Sequence, residues 1–108
     1  MPHWVEACST IDIEEEGVRR FDHGDATYAI YRSPEDAYYA TAGLCTHQHV
    51  HLADGVVMEH VVECPKHSGL FDYTTGEPMG APVCISLATY PVKVENALVY
   101  IDIDATKV

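Results

Sequence analysis

The most restrictive feature of this sequence is the segment CTHQHVHLADGVVMEHVVECPKH, which runs from Cys45 to His67. It contains two of the four cysteines and five of the seven histidines of the 108-residue chain. Its motif form is C-x-H, at Cys45 and His47, followed after sixteen residues by C-x-x-H, at Cys64 and His67. Thiolate and imidazole groups are ligands for zinc and iron. The segment therefore predicts a metal site built from two separate loops.

The rest of the chain consists of short apolar segments separated by turn residues. Val, Ile, Tyr and Thr are frequent in these segments, as is typical of strands, and no segment has a helical period over ten residues. The segment YAIYR alternates, which predicts one buried face and one solvated face. The predicted strands are His3–Cys8, Gly17–Phe21, Thr27–Arg32, Ala37–Thr41, Val61–Glu63, Tyr90–Val94 and Leu98–Ile103. The pattern predicts a small all-β barrel or sandwich.

A chain of 108 residues is predicted to form one domain, spanning residues 1–108. Its apolar content of 47% is ordinary for a globular protein. No window approaches the roughly 18 uninterrupted apolar residues that a membrane span needs. The first residues, MPHWVEACSTIDIEEE, do not have the basic start and apolar run of a secretory signal. We therefore expect a soluble, cytoplasmic protein.

The chain is strongly acidic, with 17 Asp and Glu residues against 6 Lys and Arg residues and a net charge of −11. Such a charge argues against nucleic acid as a partner, because phosphates require basic side chains. It also argues against binding to anionic membrane surfaces. The field favours encounters with basic patches on partner proteins.

Two cysteines and two histidines could form a tetrahedral zinc site, so a structural zinc module that binds another protein is one interpretation. The single residue between Cys45 and His47 argues against it, because zinc motifs usually separate paired ligands by two to four residues. A one-residue gap suits a loop whose thiolate and imidazole reach two different metal ions. That is the arrangement of a [2Fe–2S] cluster in which two His replace two Cys on one iron.

The sequence resembles the Rieske-type [2Fe–2S] ferredoxins of bacterial multicomponent, aromatic-ring-hydroxylating dioxygenase systems. The resemblance extends over about residues 1–104, through CTH, HLADG, ECPKHSGLFDYTTGEPMGAP and TYPVKVE. The segments CTHQHVHLADG and FDHGDATYAIYRSPED are also similar to ferredoxins of rhizopine catabolism. The resemblance implies a small Rieske β domain with two cluster-binding loops at one tip.

The resemblance also implies a ligand set. Cys45 and Cys64 would bind one iron, and His47 and His67 would bind the other. The segment Gly80-Ala81-Pro82 corresponds to a third loop that covers the cluster without binding it. His49, His51 and His60 do not fall on ligand positions, and we expect them to be polar residues near the loops. Replacing His51 by Ala should therefore leave the Rieske electron paramagnetic resonance (EPR) signal largely intact.

Two departures from the high-potential Rieske proteins of respiratory complexes predict a low reduction potential. Lys66 stands where those proteins have a second cysteine. Gly69 and Phe71 stand where they have a Ser and a Tyr that donate hydrogen bonds to cluster sulfur. Without those donors, and with a net charge of −11, the reduced state is less stable. We expect a potential near the low end of the Rieske range, roughly −150 mV.

A cluster whose irons are all bound by the protein has no vacant position for a substrate, so the resemblance implies a one-electron carrier and not an enzyme. Its partners would be a flavin-dependent NAD(P)H reductase and a terminal Rieske non-haem iron oxygenase, reached by transient docking of a monomer. The alternative is the small Rieske-like subunit of an assimilatory nitrite reductase, which would need a permanent, more apolar interface.

Overall fold

The regular secondary structure of the described residues is almost entirely short antiparallel strands. The structure, a computed structural model, describes residues 2–46, 49–66, 69–80 and 85–104. Its strands are β1 (Trp4–Ser9), β2 (Gly17–His23), β3 (Ala26–Arg32), β4 (Tyr38–Ala42), β5 (Val56–Met58), β6 (Val61–Glu63), β7 (Leu70–Asp72), β8 (Thr89–Tyr90), β9 (Val92–Glu95) and β10 (Leu98–Asp102). Two 3₁₀ helices span Thr10–Asp12 and Leu52–Asp54. None of the described helices is long and apolar enough to cross a membrane.

The described strands form three antiparallel sheets. Their orders are β1-β10-β9, β2-β3-β4-β8 and β5-β6-β7. The first two sheets are the base of the molecule, and we call the third the loop sheet, because it follows the segment that contains Cys45 and its β6–β7 connection contains Cys64. The predicted all-β class is confirmed.

Most of the predicted strands are present with ends shifted by one or two residues. The strand predicted over Tyr90–Val94 is wrong in one respect, because it is divided into β8 and β9 at Pro91. Proline has no backbone N–H to donate to a neighbouring strand. The prediction missed β5 and β7, each only three residues long. Segments this short show too little alternation to be recognised.

Strand β3 separates two hydrophobic cores. Ala29 and Tyr31 face the upper core, and Tyr28 and Ile30 face the lower core. The prediction that one face of YAIYR is solvated is therefore wrong, since residues 28–31 are all buried. The upper core contains Ala29, Tyr31, Cys45, Leu52, Val62, Cys64, Phe71, Tyr73 and Leu87. The lower core contains Cys8, Ile13, Tyr28, Ile30, Ala40, Val99 and Ile101.

Aromatic packing fixes the upper core onto β3. The rings of Tyr31 and Tyr73 stack with centroids 4.5 Å apart and an interplanar angle of 3°. The Tyr31 hydroxyl lies 2.8 Å from Thr41 Oγ1, and Thr41 in turn donates to the Ala42 carbonyl. Buried tyrosines need such partners, because an unpaired hydroxyl in a core is costly. The stack ties the base to Tyr73, which follows β7.

The β5–β6 turn is fixed to the base by polar contacts. The Glu59 N–H donates to Glu16 Oε2 at 2.8 Å, and the Tyr73 hydroxyl donates to the Glu59 carbonyl. His60 Nε2 lies 2.6 Å from Glu35 Oε1. This hydrogen bond raises the pKa of His60 and lowers the pKa of Glu35. The turn therefore depends on a charged pair that exists only over part of the pH range.

The His60–Glu35 pair has a defined pH window. Its stabilisation is lost as the pH rises through the raised His60 pKa, and also as the pH falls through the lowered Glu35 pKa. Replacing Glu35 by Gln should shift the His60 pKa down towards 6.5, because the carboxylate that favours the imidazolium is gone. An NMR titration of the His60 ring measures this shift. Glu6→Gln, on the distant strand β1, is the matched control, and an unchanged His60 titration in Glu35→Gln would contradict the assignment.

Candidate metal centre

The first cysteine lies in a loop that begins after strand β4. Gly43 and Leu44 follow the strand, and the Leu52 N–H donates to the Gly43 carbonyl at 2.8 Å. The Cys45 N–H donates to the Val50 carbonyl at 2.9 Å, and Leu44 pairs with His51 in an antiparallel bridge. These bonds join the two ends of the segment 44–51, which we call loop one. It contains both residues of the C-x-H motif.

The second cysteine lies in the connection between β6 and β7. The Cys64 N–H donates to the Gly69 carbonyl at 2.7 Å, one step beyond the Glu63–Leu70 pair of the sheet. This bond joins the two ends of the segment 64–69, which we call loop two. Each cysteine is held at the base of its loop by its own backbone N–H.

The two cysteines meet in the upper core. Cys45 and Cys64 are buried, with exposed fractions of 0% and 1%, and both are free thiols. Burial raises the pKa of the Cys64 thiol, a backbone hydrogen bond from Lys66 opposes the shift, and a hydrogen bond with the neighbouring Cys45 thiol adds to it. Two thiols in direct contact at the bases of two loops fit a centre that requires two thiolates on a single metal ion.

The other two predicted ligands, His47 and His67, lie outside the described residues, as do Ala81, Pro82 and Cys84. Of the predicted third loop, Gly80 is described and has a positive φ of 144°. The Met79 N–H donates to the Leu70 carbonyl, which brings this segment beside loop two. The Thr46 hydroxyl donates to the Ile85 carbonyl at 2.8 Å and brings loop one beside the chain that follows. The described parts of all three segments therefore converge at one end of the molecule.

The three remaining histidines of the motif region have different positions. His49 is in the tip of loop one with a positive φ of 56°, and its N–H donates to the Cys45 carbonyl. His51 is buried at the base of loop one. His60 belongs to the β5–β6 turn and pairs with Glu35. No group of three or more His, Cys, Asp or Glu side chains that could hold a metal ion occurs among residues 2–46, 49–66, 69–80 and 85–104.

Gly69 and Phe71, the residues predicted to lack a sulfur donor, both lie close to the cysteines. Phe71 is completely buried in the upper core together with both cysteines. The main chain of Gly69 accepts the Cys64 N–H. Phe71, two residues after loop two, therefore places an apolar ring in the same core as both cysteines.

A family model for the Rieske [2Fe-2S] domain matches residues 3–91. The chain belongs to this family. Among curated proteins it is 41% identical over 100 residues to the ferredoxin component of the naphthalene 1,2-dioxygenase system of Pseudomonas putida, covering 93% of this chain and 95% of that one. It is 35% identical over 99 residues to ferredoxin CarAc of Metapseudomonas resinovorans, covering 91% of this chain and 92% of that one.

Solved structures agree with this family. The chain matches one in a complex of reduced oxygenase and oxidized ferredoxin in carbazole 1,9a-dioxygenase, with a TM-score of 0.89, 34% identity, and 97% of this chain and 96% of that one covered. It matches the Sphingomonas yanoikuyae B1 ferredoxin with a TM-score of 0.86, 30% identity, and 93% and 98% covered. A putative NADH-dependent nitrite reductase small subunit from Mycobacterium tuberculosis has a TM-score of 0.83 at 16% identity, with 100% and 97% covered, and shares the fold alone.

These relatives identify the chain as a Rieske-type ferredoxin of the kind found in aromatic dioxygenase systems. It holds one [2Fe–2S] cluster and is an electron carrier, not an oxygenase. The predicted recognition, cofactor and lack of an active site of its own are thereby confirmed.

Gly55 offers a steric test of the link between the two loops. A Cβ on Gly55 would lie 2.0 Å from the carbonyl oxygen of Glu63, the residue before Cys64. Because backbone cannot move aside as a side chain can, Gly55→Ala should destabilise the fold by about 1–3 kcal/mol and reduce the iron bound per chain. Thermal unfolding and iron analysis measure the two effects.

Gly17→Ala is the matched control. Its Cβ would meet the Glu14 carbonyl oxygen at 2.6 Å, at the opposite end of β2 from loop one. It should lower the unfolding temperature without changing the iron content. Equal iron content in the Gly55→Ala variant and the wild type would show that Glu63 does not transmit the displacement to loop two.

Proposed function

We propose that the chain binds its cluster through Cys45 and Cys64 on one iron and His47 and His67 on the other. The observation that supports this assignment is the contact between the two buried thiols. Four ligands drawn from two loops leave no position on either iron for a substrate. When bound, the cluster supplies one-electron redox chemistry. The chain's own residues hold it, shield it and present one edge of it to a partner.

The chain would pass electrons from an NAD(P)H-dependent flavin reductase to a terminal Rieske non-haem iron oxygenase. The support is the similarity to ferredoxin components of dioxygenase systems over nearly their full lengths. One of these similar chains is in a complex of reduced oxygenase and oxidized ferredoxin. An NAD(P)H-driven reductase implies that the chain works in the cytoplasm.

Docking would use the end of the molecule where the loops meet. Among the described residues at this end, the exposed apolar residues include Leu44 at 40%, Met79 at 51% and Ile85 at 61%. Leu44 precedes Cys45, Met79 bonds through its backbone to Leu70, and the Ile85 carbonyl accepts from Thr46. A small apolar contact of this kind, in a protein of net charge −11, suits a monomer that docks transiently on a partner's apolar site with a basic surround.

The relatives also bear on the partner's substrate. Their systems act on aromatic compounds such as naphthalene, so an aromatic-ring-hydroxylating oxygenase is the proposed acceptor of electrons. The rhizopine branch stays a prediction from sequence resemblance. The nitrite reductase alternative has only a shared fold at 16% identity in its support.

The ligand assignment is tested by reconstitution. Wild-type chain supplied with iron and sulfide should take up about two of each and give a Rieske EPR signal on reduction. His67→Ala should abolish that signal, because one iron loses half of its imidazole ligands. His60→Ala should keep it, since His60 pairs with Glu35 on the β5–β6 turn. A wild-type chain without iron and sulfide, or a normal signal in His67→Ala, would overturn the proposal.

The proposed low potential is tested at Phe71. Phe71→Tyr adds a hydroxyl to a ring that is buried with both cysteines. If the hydroxyl donates to sulfur, the potential should rise by roughly 20–60 mV, which corresponds to a net hydrogen-bond energy of about 0.5–1.5 kcal/mol for one electron.

Protein-film voltammetry measures the effect. The chain has only two phenylalanines, and Phe21→Tyr is the matched control, because Phe21 packs against the lower core. A wild-type midpoint well above zero, or equal shifts in both variants, would argue against the missing sulfur donors as the cause.

A further inference from the structure

His51 is the one histidine of loop one with a buried, fully bonded ring among the residues that the structure describes. Its exposed fraction is 5%, and it is the N-cap of the 3₁₀ helix Leu52–Asp54. The Ala53 N–H donates to His51 Nδ1 at 3.0 Å. Because a backbone N–H can only donate, Nδ1 must be unprotonated. The ring is therefore neutral, with its proton on Nε2.

The Nε2 proton has a defined acceptor. Nε2 lies 2.9 Å from Thr27 Oγ1 on strand β3 and donates to it. The Thr27 hydroxyl then donates to Asp22 Oδ1 at 2.6 Å, and Arg20 Nε donates to the same carboxylate at 3.0 Å. The His51 ring thus donates to Thr27, Thr27 donates to Asp22, and this chain of hydrogen bonds ends at the exposed Asp22 carboxylate.

The same ring packs against the backbone at the base of loop one. A Cβ on Gly43 would lie 2.6 Å from His51 Nε2 and 3.0 Å from the Thr27 carbonyl. The Gly43 N–H donates to that carbonyl at 2.9 Å, and Gly43 lies two residues before Cys45. His51 therefore connects the helix after loop one, the chain before it and the β2–β3 hairpin.

We propose that His51 is a positioning residue that fixes the base of loop one and thereby sets how firmly the chain keeps its cluster; this rests on the ligand assignment under the proposed function. The side chain acts through the loop and does not bind iron. Partners that orient metal ligands from outside typically change metal affinity by about 10- to 100-fold when removed. His51 contacts no proposed ligand directly; its ring bonds to Thr27 and Ala53 and packs against Gly43, two residues before Cys45.

Two substitutions of His51 distinguish the contribution of its bond with Ala53 from that of its bond with Thr27. Asn places its Oδ1 near the position of Nδ1 and is a strong N-cap, so His51→Asn keeps the Ala53 bond and loses the one to Thr27. His51→Ala loses both. We expect the cluster, followed by its visible absorbance, to be lost about 10- to 100-fold faster from His51→Ala than from the wild type, with His51→Asn intermediate. The EPR signal of freshly reconstituted His51→Ala remains present, because no ligand has changed.

A double-mutant cycle tests the Thr27 link. Thr27→Val should speed cluster loss in the wild type and have no further effect in His51→Ala, because its partner is already gone. His60→Ala is the control histidine and should lose its cluster at the wild-type rate. Additive effects of Thr27→Val and His51→Ala would overturn the link.

The pH dependence of the rate of cluster loss distinguishes a specific positioning role of His51 from a general loss of fold stability. Burial lowers the pKa of His51, and the Arg20 cation lowers it further, while Asp54 and Asp22 oppose the shift. The stabilisation is therefore present above pH 6.5 and is lost as the pH falls through the lowered pKa. Wild-type cluster loss should accelerate there, and His51→Asn, whose cap does not titrate, should lack that acceleration. Identical acid profiles would overturn the proposal.

Amide hydrogen exchange decides the proposal without depending on the cluster. The Cys45 and Leu52 N–H groups, which close loop one, should exchange about tenfold faster in His51→Ala than in the wild type, and at an intermediate rate in His51→Asn. Unchanged exchange, or faster exchange with unchanged cluster loss, would overturn the proposal. If the wild-type chain takes up no iron or sulfide, the proposed function fails and exchange alone decides the role of His51.

Discussion

The structure depends on the contact between two buried thiols that are distant in sequence. Cys45 and Cys64 come from different hairpins, and each is fixed by its own backbone N–H, to Val50 in one loop and to Gly69 in the other. Both side chains are buried, and the Cys64 sulfur is hydrogen-bonded both to the Cys45 thiol and to the backbone of Lys66. Two neighbouring buried thiols suit a shared metal ion, whose binding would supply part of the folding free energy.

The two-core plan explains how so small a chain holds the loops in place. Strand β3 is buried on both faces. The lower core packs against one face and stabilises the strand, and the upper core, which contains both cysteines, packs against the other face. The Tyr31–Tyr73 stack and the polar contacts of the β5–β6 turn then hold the loop sheet on the base. A displacement of either hairpin would separate the thiols, which is why close backbone contacts such as that of Gly55 with Glu63 lie beside the cysteines.

The strands of the base could be predicted from alternation because several are five to seven residues long and end in clear turns. The loop sheet could not be predicted in this way, since three-residue strands such as β5 and β7 are too short to show a period. The turn between β5 and β6 has a positive φ at Glu59, a residue type that does not usually indicate a turn. The burial of both faces of YAIYR is likewise a tertiary property. The alternation of this segment predicts a strand with one buried face. Both Tyr28 and Tyr31 are buried because a separate core packs against each face of the strand.

The candidate site shows the same division. Family resemblance predicts Cys45 and Cys64 as ligands of one iron, and the structure places both side chains in the upper core. The non-ligand histidines are different, since their roles depend on neighbours from remote strands. His51 is kept neutral by burial and by an N–H donor, whereas the exposed His60 is favoured as the imidazolium by Glu35. Two histidines nine residues apart thus have pKa values shifted in opposite directions. No sequence spacing contains that difference, because it arises from which strands the fold brings against each ring.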